Sequence, residues 1–161
     1  MTKQEDTPHF ETRAVSAGED PASYPAGDVV SPINLATTFV QDRLVSAEQE
    51  DYTYARSASP TRSALETRLA SLEDGEHAIA CASGMGAVGT ATMALLEPGD
   101  HVVAFEYLYG GTRSMYDDLY ADRFGVDVEY VDASDTEAVA DAVRAETKLV
   151  WIESPSNPLM K

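Results

Sequence analysis

Cysteine is almost missing from this chain. Cys81 stands alone, so no internal disulfide can form and a disulfide-stapled secreted scaffold is excluded. Within its apolar stretch it reads as a small core residue. Histidine is scarce too: His9, His77 and His101 show no metal-ligand spacing, and Ser83 lacks the flanking glycines of a nucleophile elbow. Nowhere do 18 consecutive apolar residues occur, and the opening residues lack the apolar stretch of a secretory leader. Neither membrane spanning nor secretion is therefore expected, and a cytoplasmic location is the default. Positive charge is short as well, with 11 Lys and Arg against 28 Asp and Glu and a formal net charge of −17. Such a surface repels phosphate backbones and anionic membranes alike, so neither nucleic acid nor membrane is an expected partner. The acidic residues are spread along the chain, the expected helix over 84–96 excepted, which makes the charge a property of the surface rather than of a tail. A high-salt cytoplasm and an ordinary acidic surface both fit.

A chain of 161 residues is long enough for one soluble domain with its own core. It stops at Asn157-Pro158-Leu159-Met160-Lys161, directly after an apolar run and without a closing helix, as a truncated front part of a longer protein would. Residues 1–60 hold five of the eight prolines and little periodicity. They are expected to form an extended N-terminal arm with one short helix around Ser46-Ala47-Glu48. From residue 61 to 161 the pattern changes. Thr61 is placed to cap a helix carrying Leu65, Leu69 and Leu72, ended by Asp74-Gly75. Residues 77–82 read as a buried strand, 84–96 as a helix stopped by Pro98-Gly99, and 101–105 as a strand. A helix over 111–124, a strand over 126–131, a helix opened by Ser134 with Ala138, Val139, Ala142 and Val143 on one face, and a strand over 148–152 follow. Four alternations with strands that are apolar throughout predict an α/β fold, a mostly parallel sheet with helices on both faces. Ligands in such sheets bind at the loops beyond the strands' carboxyl ends.

The first of those loops is Ala82-Ser83-Gly84-Met85-Gly86, where unpaired N–H groups and the positive end of a helix dipole favour a phosphate. The same residues allow two other readings. Gly84-Met85-Gly86-Ala87-Val88-Gly89 spells GxGxxG with Glu106 about 20 residues on, as an NAD-binding Rossmann domain requires. Alternatively, the glycines and alanines simply let the helix pack closely on the sheet.

Three further segments bear on the choice. Tyr52-Thr53-Tyr54-Ala55-Arg56-Ser57-Ala58-Ser59-Pro60-Thr61, Leu108-Tyr109-Gly110-Gly111-Thr112 and Glu153-Ser154-Pro155-Ser156-Asn157-Pro158, taken with the Ser83-Gly84-Met85 loop, are in order and in register with a family pattern. They resemble the Y-x-Y-x-R-x-x-N-P-T, L-Y-G-G-T, E-S/T-P-x-N-P and S-G-M stretches of the Cys/Met metabolism (transsulfuration) enzymes, which include cystathionine γ-synthase, cystathionine γ-lyase and methionine γ-lyase. Val30-Ser31-Pro32-Ile33-Asn34-Leu35-Ala36-Thr37-Thr38-Phe39 is similar to that family's N-terminal arm. The resemblance implies a fold-type-I transferase-like architecture and pyridoxal 5'-phosphate as cofactor. It implies that Ser83, Gly84 and Met85 hold the phosphate, and that Tyr54 and Arg56 reach the same phosphate from a neighbouring subunit of a dimer or tetramer. A guanidinium fork suits that anion, and two residues spaced by two along an extended segment point the same way. Tyr109 matches the tyrosine that stacks on the cofactor ring and assists proton transfers, which makes it the candidate catalytic residue. Asn157 matches the hydrogen-bond donor to the ring's phenolic oxygen, and Glu153 is taken as structural.

Ser59 stands where the family has asparagine, a change expected to loosen the loop locally. More seriously, the family's ring-nitrogen aspartate and its cofactor-bonding lysine lie beyond residue 161, and none of Lys3, Lys148 and Lys161 matches that lysine. By resemblance the complete protein acts on small amino-acid substrates such as O-acylhomoserine or cystathionine, by elimination or replacement at the γ-carbon. This chain alone is expected to be inactive, either as a remnant or as an assembly-dependent binding module. Its charge generates a first prediction. Self-repulsion of −17 should weaken as salt shortens the Debye length to about 3 Å near 1 M. The thermal midpoint should therefore rise with sodium chloride, and a midpoint that falls or stays level in a melting series would show that charge does not limit stability.

Overall fold

The computed structural model describes residues 8–41, 52–156 and 160; the short helix expected near Ser46 lies outside them. The chain divides into two compact units, Met1–Ala80 and Cys81–Lys161.

In the first unit, helix α1 (Phe10–Ser16) packs on helix α2 (Pro60–Leu72). No periodic signal announces α1, whose seven residues span barely two turns. The start of α2 is set by Ser59 rather than Thr61, because the Ser59 hydroxyl accepts the Arg62 N–H at 3.4 Å and Pro60 follows at the first helical position, where its missing N–H costs nothing. Serine caps a helix about as well as asparagine, so the departure from N-P-T leaves this terminus closed. Asp74, in the left-handed region at φ 53°, ends the helix as expected. Arginines fasten the two helices: Arg13 pairs with Asp74 at 2.6 Å, and the Arg68 Nε donates to the Ala17 carbonyl at 2.9 Å. Gly18 lies where the segments touch. A Cβ there would sit 2.3 Å from the Ala64 carbonyl oxygen, with φ at 77°, so only glycine fits. Leu65 and Leu69, by contrast, stay exposed, and Ala70 is the buried residue of α2. The remaining extended chain makes an antiparallel bridge between Thr38 and Tyr54.

The second unit holds the sheet. Helix α3 (Gly84–Leu95) precedes β1 (His101–Phe105). A helical run follows, made of α4 (Gly110–Ser114), a π-helical segment Met115–Ala121 and α5 (Asp122–Phe124). Then come β2 (Asp127–Val131), α6 (Thr136–Ala142) and β3 (Thr147–Trp151). The order is β2-β1-β3, and both pairings are parallel. All five residues of β1 are buried. Since successive side chains point to opposite faces, both faces of the central strand are covered. Three strands form where four were expected. Residues 77–82 make no ladder among the described residues, Ile79 is 76% exposed, and Cys81 is exposed rather than in the core. A strand without a partner leaves its backbone polar groups unpaired. Apolar sequence alone could not supply that partner.

Side chains of Val102, Ala104, Phe105, Leu108, Tyr116, Tyr120 and Val126 form the core. The π-helical segment supplies both tyrosines, whose rings meet edge-on at 6.0 Å, while Tyr116 also meets Trp151 at 6.2 Å. Periodicity predicts one helix here and cannot show the wider turn. Tyr120 accepts the Thr92 hydroxyl at 2.9 Å, which locks α3 to the core. Asp117 pairs with Arg113 at 2.7 Å and accepts the Tyr130 hydroxyl at 2.7 Å. Burial alone would raise the carboxyl's pKa, but these two partners outweigh it and hold the group below its ordinary value. Asp135, not Ser134, caps α6, accepting the N–H groups of Glu137 and Ala138; Ser134 instead closes a turn on Asp132.

Tyr116 is completely buried, and among the described residues its hydroxyl has no hydrogen-bond partner. Burial also pushes its pKa upward. An unmade buried hydrogen bond costs about 1–3 kcal/mol, so Tyr116→Phe should leave stability level or raise it by up to about 1 kcal/mol. Tyr116→Ala should cost about 3 kcal/mol or more through the cavity. Denaturant unfolding checks both, and a large loss in the Phe variant would reveal a partner for the hydroxyl.

Candidate functional site

Parallel pairing places the ends of β1 and β3 at the same sheet edge, and the loops that leave them meet the start of α3. Ser83 is the N-cap of α3, its hydroxyl accepting the Gly86 N–H at 3.0 Å. Gly84 and Met85 then occupy the first helical positions, where N–H groups have no intrahelical acceptor. A Cβ on Gly84 would meet nothing within 4 Å, so access to these donors is open. Tyr109 is the N-cap of α4, with its side chain 55% exposed. Ser83, Gly84, Met85, Val88, Tyr109, Thr112 and Glu153 together line one open cavity of ≈ 540 Å³, within the range of about 300–1,000 Å³ of small-molecule sites.

The structure thus brings Ser83, Gly84, Met85 and Tyr109 together. Asn157 lies outside the described residues. Tyr54 and Arg56 belong to the first unit, where the Arg56 guanidinium lies 5.1 Å from the centre of the Tyr54 ring, so the two do share one side of the segment. What presents them is Arg62, a residue the motif comparison passed over. Its guanidinium donates to the Ala55 and Arg56 carbonyls at 3.3 Å each and also to Ser57. Thr112 and Glu153 also belong to the site's lining. Thr112 is 1% exposed, and its hydroxyl donates to Glu153 at 2.8 Å. The sequence signal for it was its place in the L-Y-G-G-T motif.

These residues fit a phosphate joined to a planar ring. Two free N–H groups and a helix N-terminus suit the anion, a tyrosine face borders the same space, and the cavity admits a molecule of that size. Among the described residues the lining contains no cationic side chain. Gly84 and Gly89 each face open space among the described residues, while a Cβ on Gly86 would meet Ser83 Oγ at 3.3 Å and Cys81 Cβ at 3.6 Å.

Fold and site together define an α/β unit with an open helix start beside an aromatic face. Residues 11–161 match the family described as Cys/Met metabolism PLP-dependent enzyme, and the chain belongs to that family, whose cofactor is pyridoxal phosphate. It is 41% identical over 152 residues to a probable cystathionine gamma-synthase of Herpetosiphon aurantiacus, covering 94% of this chain and 46% of that protein. It is also 41% identical over 153 residues to the cystathionine gamma-lyase of Mus musculus, covering 95% and 37%. The crystal structure of MetB from Corynebacterium glutamicum superposes with a TM-score of 0.87 at 37% identity, covering 96% of this chain and 40% of that one. The chain spans less than half the length of these relatives. The NAD-binding reading of GxGxxG is not supported: the family is a pyridoxal phosphate family, and the strand that a Rossmann glycine loop must follow is absent among the described residues.

Gly111 offers a local test. A Cβ there would lie 2.6 Å from the Tyr109 ring and 3.0 Å from the Met85 sulfur. The exposed ring can swing aside, so Gly111→Ala should change stability by no more than about 1 kcal/mol, helped by alanine's helix propensity. Affinity for pyridoxal phosphate should fall roughly tenfold in a fluorescence titration. Unchanged affinity would show that the ring does not border the ligand.

Proposed function

We propose that this chain is the pyridoxal-phosphate-binding front part of a transsulfuration enzyme. The complete protein would carry out elimination or replacement at the γ-carbon of small amino acids such as O-acylhomoserine or cystathionine. The carrying observation is the single cavity that Ser83, Gly84, Met85 and Tyr109 share at the carboxyl edge of the sheet. In this reading residues 1–60 serve as the arm and 61–161 as the first part of the cofactor domain. Assembly as a homo-oligomer and a cytoplasmic location belong to the same reading.

Each residue has a task set by its chemistry. The Gly84 and Met85 N–H groups and the Ser83 hydroxyl bind the phosphate, and the α3 dipole favours its charge. Arg56 and Tyr54, delivered by a neighbouring copy, supply the cation that the lining lacks and one more hydrogen bond. Tyr109 orients the ring by stacking and, with its phenol free among the described residues, holds or moves a proton near the substrate amine. Asn157 donates to the ring's phenolic oxygen. When bound, the cofactor supplies an electron sink for the substrate's α-carbon. Among the described residues the one lysine is Lys148, which lies in β3 and is not among the cavity's lining residues. The chain alone is therefore proposed to bind without turnover.

Titration of the purified chain with pyridoxal phosphate and, separately, with NAD tests this reading. Saturable binding of the former, weakened at least about tenfold in Arg56→Ala through loss of a charge-assisted contact, is the expected result, with no release of product from O-acylhomoserine or cystathionine. Tight NAD binding, or pyridoxal phosphate binding indifferent to Arg56, would overturn it.

A further inference from the structure

Glu153 makes more contacts at the site than any motif residue expected to act there. Its Oε2 accepts the Tyr109 backbone N–H at 2.6 Å, while its Oε1 accepts the Thr112 hydroxyl at 2.8 Å and the Trp151 indole N–H at 3.3 Å. Trp151, the last residue of β3, is itself held edge-on by the buried Tyr116. Three donors on two oxygens fix the carboxylate's orientation, and each bond is strengthened by its charge. The negative charge also lies at the amino end of the helical run Gly110–Phe124, where the dipole favours it.

Tyr109 has little else to hold it. More than half of its side chain is exposed, and its hydroxyl makes no hydrogen bond among the described residues. The pose of the ring is therefore set by the backbone at residue 109 and by Gly111, which leaves it room. We propose that Glu153 is a positioning residue: it pins the Tyr109 backbone to the end of β3 and so sets the ring of Tyr109 against the cavity that also holds the Gly84 and Met85 donors. This rests on the cofactor reading given above and adds a requirement to it. Glu153 lines the same cavity, and a carboxylate without partners there would oppose a phosphate. Engaged by three donors, its charge is turned inward to the loop it organises.

The test uses the purified chain and the variants Glu153→Gln, Glu153→Ala and Thr112→Val, with amide hydrogen exchange as the first readout. In Glu153→Ala the Tyr109 amide should lose protection by about tenfold or more while the β1 amides of Val103 and Phe105 keep theirs. Glu153→Gln, whose carboxamide oxygen still accepts the Tyr109 N–H, should restore protection to within about threefold. Thr112→Val should leave the Tyr109 amide protected. The second readout compares two ligands. Pyridoxal phosphate should bind about tenfold more weakly to Glu153→Ala, whereas inorganic phosphate, which has no ring for Tyr109 to border, should bind all three variants as it binds the parent. Unaltered exchange at Tyr109, loss of β1 protection in the same proportion, or parallel weakening of both ligands would overturn the proposal. Should the parent chain bind no pyridoxal phosphate at all, the cofactor reading fails by itself, and the exchange arm still decides whether Glu153 positions Tyr109.

Discussion

Burial of β1 between two parallel neighbours is the constraint on which the rest of this unit depends. A strand covered on both faces and bonded along both edges has its register fixed, here with one irregularity against β3 between His101 and Val102. His101 lies opposite Asp127 on one side and Thr147 on the other, and Ala104 lies opposite Tyr130 and Trp151. Because all three strands run the same way, what leaves their carboxyl ends emerges at one edge. Tyr109, four residues past β1, and Glu153, two past β3, are brought within hydrogen-bonding distance by that geometry alone. Tyr116 of the π-helical segment then holds Trp151, and through it the loop that carries Glu153.

An acidic chain that takes a dianionic cofactor must solve an electrostatic problem locally. A net charge of −17 disfavours any phosphate at long range. At short range, the start of α3 presents N–H groups without acceptors, and the cavity lining contributes one carboxylate whose oxygens are both engaged. In the function proposed above, the guanidinium that completes the charge balance is that of Arg56, in the other unit. There Arg62 and the Ser59 cap shape the turn that carries Arg56. Backbone donors are indifferent to surface composition, which allows a site of this kind to persist beneath a strongly negative exterior.

Much of the second unit was legible in sequence because its signals are local. The apolar run at 101–105 matches β1 residue for residue, Pro98-Gly99 stops α3, and Gly125, at φ 68°, closes the run before β2. Errors arose where an outcome depends on a partner. Residues 77–82 have strand composition but no neighbouring strand among the described residues, and the leucines of α2 keep helical spacing but lack a covering surface. The caps of α2 and α6 moved by one or two residues because several adjacent side chains, Ser59 and Thr61 or Ser134 and Asp135, carry the same capping chemistry. Only the backbone path selects among them.

The order of the motifs, the charge of the surface and the Ser83-Gly84-Met85 turn at the start of α3 were determined by the sequence itself. The tertiary structure decided which of those turns share a cavity, that Tyr116 is buried with its hydroxyl unpaired among the described residues, and that Glu153 grips residues 41 and 44 positions away. Contacts at such separations are fixed by strand register and helix packing, and no pattern of nearby residues encodes them.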